Sequence, residues 1–362
     1  MDGSPLFLVV CTAVIHRFAL ILIGILLAGL AMEAVLRVAD PIPEVGSPLS
    51  AFFMGDPYLG WRGRPNVRLR FHRPEFDTLV LHDAAGWRQG DPPPPGDAAR
   101  RVLVLGDSFT WGWGVDQGEL FTDRLQARFA PTTAVDNRGA VAFGTTQEYL
   151  LLQRELRSSH DTVLLMFYIN DLANNVDGDG ARPVFDLAGG DLLLRNSPAP
   201  VPRNGFDSFA AAHSRAYAFL EFALGTVKRR FRGEAGDERA YRTAPAVNFH
   251  DLPGYAVTAR LLDEMNRFTH AHGARFVLVY IPQRSEFEAD APYPYVAAVH
   301  AMMDDITRRA GIGMIDLAPA FREQTRSGGA LVYPIDAHWT AAGHAVAAEQ
   351  ILGSELFRPT QQ

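Results

Sequence analysis

The chain of 362 residues has a single cysteine, Cys11, and it lies in an apolar N-terminal stretch. Structural disulfides and cysteine-based metal sites are thereby excluded. Lysine is equally scarce, with Lys228 alone, so arginine supplies nearly all the positive charge. A formal net charge of -7 and a pI near 5.9 argue against nucleic acid as a partner, because phosphate binding calls for a basic face. There is no phosphate-cradling glycine loop and no nucleotide motif, and the Gly112 and Gly114 pair does not make one. His213, His250, His270 and His272 lack zinc-ligand spacing, so no metal and no cofactor is implied. No internal repeat is visible, and 48% hydrophobic residues exclude a disordered chain.

What the N-terminus does have is length without charge. Residues 6–15 and 18–32 are apolar, with His16 and Arg17 between them and Glu33 and Arg37 closing the run. A helix over 18–36 approaches the roughly 20 residues needed to cross a bilayer. The reading adopted is a membrane anchor over residues 1–38. A cleaved signal peptide, ending near Ala28-Gly29-Leu30-Ala31, and a soluble buried or amphipathic helix are the alternatives. His16 and Arg17 compete with Arg37 in setting orientation, and an export role for the anchor places the large domain outside the cytoplasm.

Asp40-Pro-Ile-Pro43 and Gly46-Ser-Pro48 mark a linker, and residues 39–100 as a whole read as a linker and small β-containing lead-in without a core of its own. Asp91-Pro-Pro-Pro-Pro-Gly96 reads as a stiff spacer. From residue 101 an α/β rhythm begins. Strands are expected over 102–105, 134–137, 162–169, 276–281 and 314–317, with helices over 119–130, 146–157, 255–272, 294–310 and 340–352. The run over 162–169 is apolar throughout, as for a central strand covered on both faces. This predicts one three-layer α/β/α domain over 101–357 with a five-stranded parallel sheet. The rhythm stops over 172–250, an insertion expected to form a lid or subdomain over the active face, with a helix over 212–226 carrying Tyr217, Phe219, Leu220 and Phe222.

Chemistry-bearing residues recur at the predicted C-terminal ends of the strands, where open α/β sheets place their sites. Ser108 follows the first strand in Gly106-Asp107-Ser108-Phe109, a loop of 137–145 follows the second, Asn170-Asp171 follows the third, and Asp336-Ala-His338-Trp339 precedes the last helix. This order resembles the SGNH or GDSL-type hydrolases. The wording Gly-Asp-Ser-Phe-Thr-Trp-Gly-Trp-Gly-Val with a closing Asp-x-His-Trp-Thr is most similar to the bacterial membrane-associated branch that includes polysaccharide O-acetyl esterases and acetyltransferases.

The resemblance implies a flavodoxin-like sheet and a serine esterase working through an acyl-serine intermediate, held in the bacterial inner membrane by one span with its domain on the periplasmic or outer side. A serine hydroxyl needs an imidazole to take its proton, and a carboxylate to orient that imidazole. Ser108 is the expected nucleophile, His338 its base and Asp336 the orienting acid, with Asp171 and Asp316 as weaker substitutes. The oxyanion donors implied are the Ser108 backbone N–H, a backbone N–H of the second loop and the Asn170 side chain. Five residues beyond Asn137, where the family carries glycine, this chain has Ala142, so either Ala142 or a shifted Gly144 fills that role. Trp111, Trp113 and Trp339 are candidate substrate-binding residues, with core packing as the alternative. Lys228-Arg229-Arg230 and Arg232 form the one basic cluster, either a solvated helix end or a contact for anionic lipid or acidic glycan. The expected substrate is an acylated glycan or lipid ester, with a membrane acyl-donor partner if the enzyme transfers to a glycan instead of to water. A non-catalytic carbohydrate-binding or assembly protein on the same fold is the reading from a different class.

Overall fold

A computed structural model of the chain describes residues 5–39, 49–129, 131–176, 182–199, 214, 216–217, 220 and 237–357. They fall into two compact units, Met1–Pro48 with Asn204–Gly233, and Leu49–Arg203 with Glu234–Gln362. The first is built on helix α1 (Pro5–Ala39). Its stretch Ala19–Val38 has a mean hydropathy of 2.5 with none of it buried, long and apolar enough to cross a membrane; a signal sequence meets the same criterion. Glu33, near the end of α1, accepts hydrogen bonds from Ser214 Oγ and the Ala216 N–H, both at 2.9 Å. Part of the expected insertion therefore groups with α1 rather than with the sheet. Apart from positions 214, 216, 217 and 220, the helix expected over 212–226 and the basic cluster at 228–232 lie outside the described residues.

In the second unit the lead-in forms two antiparallel pairs, β1 (Phe53–Asp56) with β2 (Gly60–Gly63) and β3 (Arg68–Arg73) with β4 (Phe76–Leu81). The α/β part follows as β5 (Arg100–Gly106), α2 (Ser108–Trp111), α3 (Phe121–Phe129), β6 (Thr133–Gly139), α4 (Thr145–Glu155), β7 (His160–Phe167) and α5 (Asn170–Val176). A hairpin of β8 (Val184–Ala188) and β9 (Asp191–Arg195) comes next, then α6 (Asp237–Thr243), α7 (Tyr255–Ala271), β10 (Arg275–Tyr280), α8 (Ser285–Glu288), α9 (Pro294–Ala310), β11 (Gly313–Asp316), α10 (Ala318–Arg326) and α11 (Ala341–Gly353). The central sheet is parallel throughout, in the order β11-β10-β7-β5-β6. The chain order reverses at the β5/β7 neighbours, and open α/β sheets place their sites outside the strands' C-terminal ends at such a switch point.

Strand alternation explains why the apolar runs are continuous. Along β5, Leu103 and Leu105 enter the core on one face of the sheet, while Val102 and Val104 enter the core on the other. The same split holds for Val163, Leu165 and Phe167 against Leu164 and Met166 in β7, and for Phe276 and Leu278 against Val277 and Val279 in β10. Each such side chain contributes about 1.5–3 kcal/mol on burial, so these strands cannot be moved by a residue without exposing one face.

The lead-in has no separate core. Phe52, Phe71, Phe76, Val80 and Trp87 join the cluster that contains Leu103, Leu105 and Trp111. Several elements differ from expectation. The third strand ends at Phe167, so Asn170 opens a helix instead of a turn. The start of the insertion is ordered as α5 and the β8/β9 hairpin. Helix α10 was not foreseen, because its second residue is Pro319 and its polar composition hides the stripe of Ala318 and Phe321 that it buries.

Candidate active site

Strand β5 delivers the chain to Asp107, whose Oδ1 accepts the Phe109 N–H at 2.9 Å and caps α2. Ser108 is therefore held at the first position of a short helix at the end of the sheet. Its Oγ lies 2.8 Å from His338 Nε2, although 230 positions separate the two in sequence. On the other side of the ring, His338 Nδ1 is hydrogen-bonded to Asp336 Oδ1. These partners set the tautomer: Nδ1–H donates to Asp336, which leaves Nε2 to accept the Ser108 hydroxyl proton.

The spacing of Asp336 and His338 works because the segment between β11's end and α11 closes on itself. Tyr333 N–H donates to His338 O at 2.9 Å, Ala337 N–H to Tyr333 O at 3.0 Å, and Thr340 N–H to Leu331 O at 2.9 Å. Ala337 sits in the left-handed region, φ 64°, which brackets the two side chains across a tight turn. Helix α11 is capped by Thr340, whose Oγ1 accepts from the Gly343 N–H, so Asp336 has no capping duty. Of the two substitutes, Asp171 lies buried beside Thr145 and Asp316 pairs with His300, leaving Asp336 as the carboxylate on His338. Burial alone would raise the Asp336 carboxyl, but the hydrogen bonds and charge of His338 and the hydrogen bond from Trp113 outweigh it and hold it below the usual carboxylate range.

In the second loop Ala142 adopts φ 61°, a conformation that favours glycine. The Val141 carbonyl accepts Trp61 Nε1–H at 2.9 Å and the Ala142 carbonyl accepts Arg182 Nη1–H at 3.1 Å. In a trans peptide the N–H points opposite to the preceding carbonyl, so the Ala142 N–H faces away from Trp61, and it has no acceptor among the described residues. Gly144 caps α4 at φ -125°; a Cβ there would lie 2.6 Å from Asn174 Cβ, so close packing against α5 accounts for its being glycine. In the third segment, Asn170 Nδ2 donates to Asp107 Oδ2 at 3.2 Å, which ties the amide to the residue preceding Ser108 and leaves its second N–H available.

Three buried carboxyls lie behind this edge. Asp107, Glu148 and Asp171 are at most 1% exposed, and both oxygens of Glu148 lack a hydrogen-bond partner. Burial pushes all three up; the neighbouring Asp107 charge adds to the rise at Glu148, and the Glu148 and Asp107 charges add to it at Asp171. Glu148 and Asp171 are thus held protonated well above the usual range. Reading the sequence did not single out Glu148, although a carboxyl in line with Leu151 and Leu152 on one helix face was a visible anomaly.

The tryptophans divide. Trp111 and Trp339 are each 1% exposed. Trp111 donates its Nε1–H to His82 Nε2 at 3.0 Å, and burial pushes that imidazole down to about 4. Trp339 packs on Phe109 and Phe321, with ring centroids at 5.0 and 5.2 Å. Neither can offer a face to a substrate, so the candidate binding role is withdrawn for both in favour of core packing. Of the three candidates, only Trp113 is partly exposed, and it stands against the site. Two residues escaped the sequence reading because they come from the lead-in or the insertion. Glu75, in the β3–β4 turn, accepts the Ile335 and Asp336 N–H groups at 2.9 and 2.7 Å, and Arg182 holds the Ala142 carbonyl.

Comparison with known proteins adds a family. The sequence pattern of the GDSL-like lipase/acylhydrolase family matches residues 104–346, a span that holds Ser108, Ala142, Asn170, Asp336 and His338. No curated protein matches the chain. Among solved structures it is similar to a lipolytic G-D-S-L family protein from Veillonella parvula, at 12% identity and TM-score 0.40, over 70% of this chain and 96% of that one. An acetyl xylan esterase aligns at 12% identity and TM-score 0.42, over 70% and 98% of the two chains. The lipase/acylhydrolase of Enterococcus faecalis aligns at 14% and 0.37, over 70% and 93%. With the greater part of the chain matched, from within β5 to within α11, this protein belongs to the GDSL-like lipase/acylhydrolase family.

Proposed function

We propose that the protein is a serine ester hydrolase that cleaves O-acyl esters through an acyl-serine intermediate. The observation that carries this is the continuous line from Ser108 Oγ through His338 to Asp336. His338 Nε2 takes the Ser108 proton as Oγ attacks the ester carbonyl, and the imidazolium that results faces the Asp336 carboxylate. The Ser108 and Ala142 N–H groups and the free N–H of Asn170 Nδ2 receive the developing oxyanion; losing one such donor typically costs about 2.7–4 kcal/mol. His338 then returns the proton to the leaving alcohol. A water activated by the same imidazole attacks the acyl-serine and restores the free hydroxyl.

The substrate assigned is an O-acetyl or related acyl ester of a cell-envelope glycan or lipid. The apolar Ala19–Val38 helix supports this, because as a membrane span it would keep the chain at the cell envelope. If a glycan hydroxyl displaces water at the second step, the same groups perform O-acetyl transfer, with a membrane partner supplying the acyl donor. The test is p-nitrophenyl acetate hydrolysis by the full chain in detergent, with Ser108→Ala and His338→Ala beside it. Each substitution is expected to lower kcat by about 10³-fold or more. Equal rates for all three proteins, with no acyl adduct on Ser108 by mass spectrometry, would sink the reading and leave a binding role. Candidate glycans added to the assay, with acetylated sugar measured against free acetate, separate transfer from hydrolysis.

A further inference from the structure

One residue, through backbone and side chain together, touches every member of the Ser108–His338–Asp336 line. Trp113 donates its backbone N–H to the Ser108 carbonyl at 3.1 Å. Its ring stacks on the His338 imidazole, with centroids 5.0 Å apart and planes inclined by 21°. Its Nε1–H donates to Asp336 Oδ2 at 3.0 Å, the oxygen that His338 does not use. An indole N–H can only donate, so this bond favours the ionised carboxylate and fixes its rotation.

The ring is itself held from several sides. Phe71 meets it edge-on at 4.7 Å and Phe76 at 6.4 Å, and the Arg73 guanidinium lies 5.5 Å from its centroid. Gly112 and Gly114 on either side are left-handed, at φ 87° and 81°. A Cβ at Gly112 would lie 2.6 Å from Leu120 and one at Gly114 2.7 Å from Tyr333, so both conformation and space restrict these positions to glycine. The pair folds the chain back after α2 so that Trp113 returns over the histidine. Phe71 and Phe76 come from β3 and β4, which makes the lead-in hairpin the wall behind this ring.

We propose that Trp113 is a positioning residue of the catalytic line: its indole N–H holds Asp336 and its ring holds the plane of His338. This rests on the acyl-serine reading above and replaces the role of a substrate platform, since the ring is stacked on the histidine and its N–H is taken up by the acid. The decisive variant is Trp113→Phe, which keeps an aromatic face and removes the donor.

In the full chain, Trp113→Phe is expected to lower kcat for p-nitrophenyl acetate by about tenfold or more with KM within about twofold, the loss expected for a hydrogen bond to a charged group. In an Asp336→Asn background the same change should cost less than about twofold, because the indole would act through that carboxylate. Equal fold-losses in both backgrounds, or an effect confined to KM, would overturn the proposal. A second readout needs no turnover: the downfield proton signal of His338 Nδ1–H, identified by its loss in His338→Ala, should shift in Trp113→Phe. An unchanged signal overturns the positioning role. Wild-type protein with neither turnover nor a Ser108 adduct would fail the esterase reading alone, and the proton signal would still decide this one.

Discussion

At the scale of the residue, Ala142 holds a backbone conformation that favours glycine, at the position where the sequence resemblance implied one. A left-handed φ costs an L-residue about 1–2 kcal/mol, and Ala142 sustains it at 61° because Trp61 and Arg182 fix the carbonyls on either side of its Cα. The oxyanion donor proposed here is a backbone N–H, which makes the side chain dispensable to that role. Ala142→Gly should keep kcat within about threefold and raise the unfolding free energy by up to about 1 kcal/mol, read from urea melts. A large loss of kcat with intact folding would mean that the methyl group, not the N–H, is what the site uses. Asp107 also acquires a role only in three dimensions. It caps α2 through Oδ1 and anchors Asn170 through Oδ2, so one carboxyl links the Ser108 turn to the third segment.

At the scale of the element, α4 carries a carboxyl into the core. Glu148 is 0% exposed with both oxygens unpartnered, and burial raises it well above its ordinary 4.5. The folded state then binds a proton that the unfolded chain has released, so this group's contribution to stability falls as pH rises from about 4.5. Glu148→Gln removes that titration. Its unfolding free energy should match wild type near about pH 4 and exceed it near about pH 8, with Asp171 relieved as well because the two acids titrate together. Parallel stability curves for the two proteins between those pH values would exclude a proton stored beside Asp107. The helix was legible from its apolar period, and so were β5, β7 and β10 from their uninterrupted runs. The carboxyl's fate was not legible, since only the packing of α5 and the sheet against that face removes water from it.

At the scale of the whole molecule, the lead-in is part of the domain. Phe52, Phe71 and Phe76 share a core with Leu103, Leu105 and Trp111, and Glu75 holds the backbone of Ile335 and Asp336. Removing residues 49–99 would uncover that cluster and release the acid's loop. A chain so shortened should be insoluble or lack the near-ultraviolet circular dichroism of packed aromatics, whereas a lead-in serving as a mere spacer would leave both intact.

The amino-acid sequence by itself determined the parallel sheet, the longer helices beside it, and which four segments meet at its C-terminal edge, because strand and helix periods and the residues that end them are local properties. Their order along the chain also singled out Ser108, Asn170, Asp336 and His338 as candidates, and the fold brings the serine, histidine and aspartate into one hydrogen-bonded line. Only the tertiary structure decided that Trp111 and Trp339 are core while Trp113 faces the histidine, that Ala142 takes a left-handed turn, and that a hairpin before the sheet braces the backbone of Asp336. Those outcomes depend on contacts between residues tens to hundreds of positions apart, and no local pattern records which of several apolar or acidic side chains will lose its water when they close.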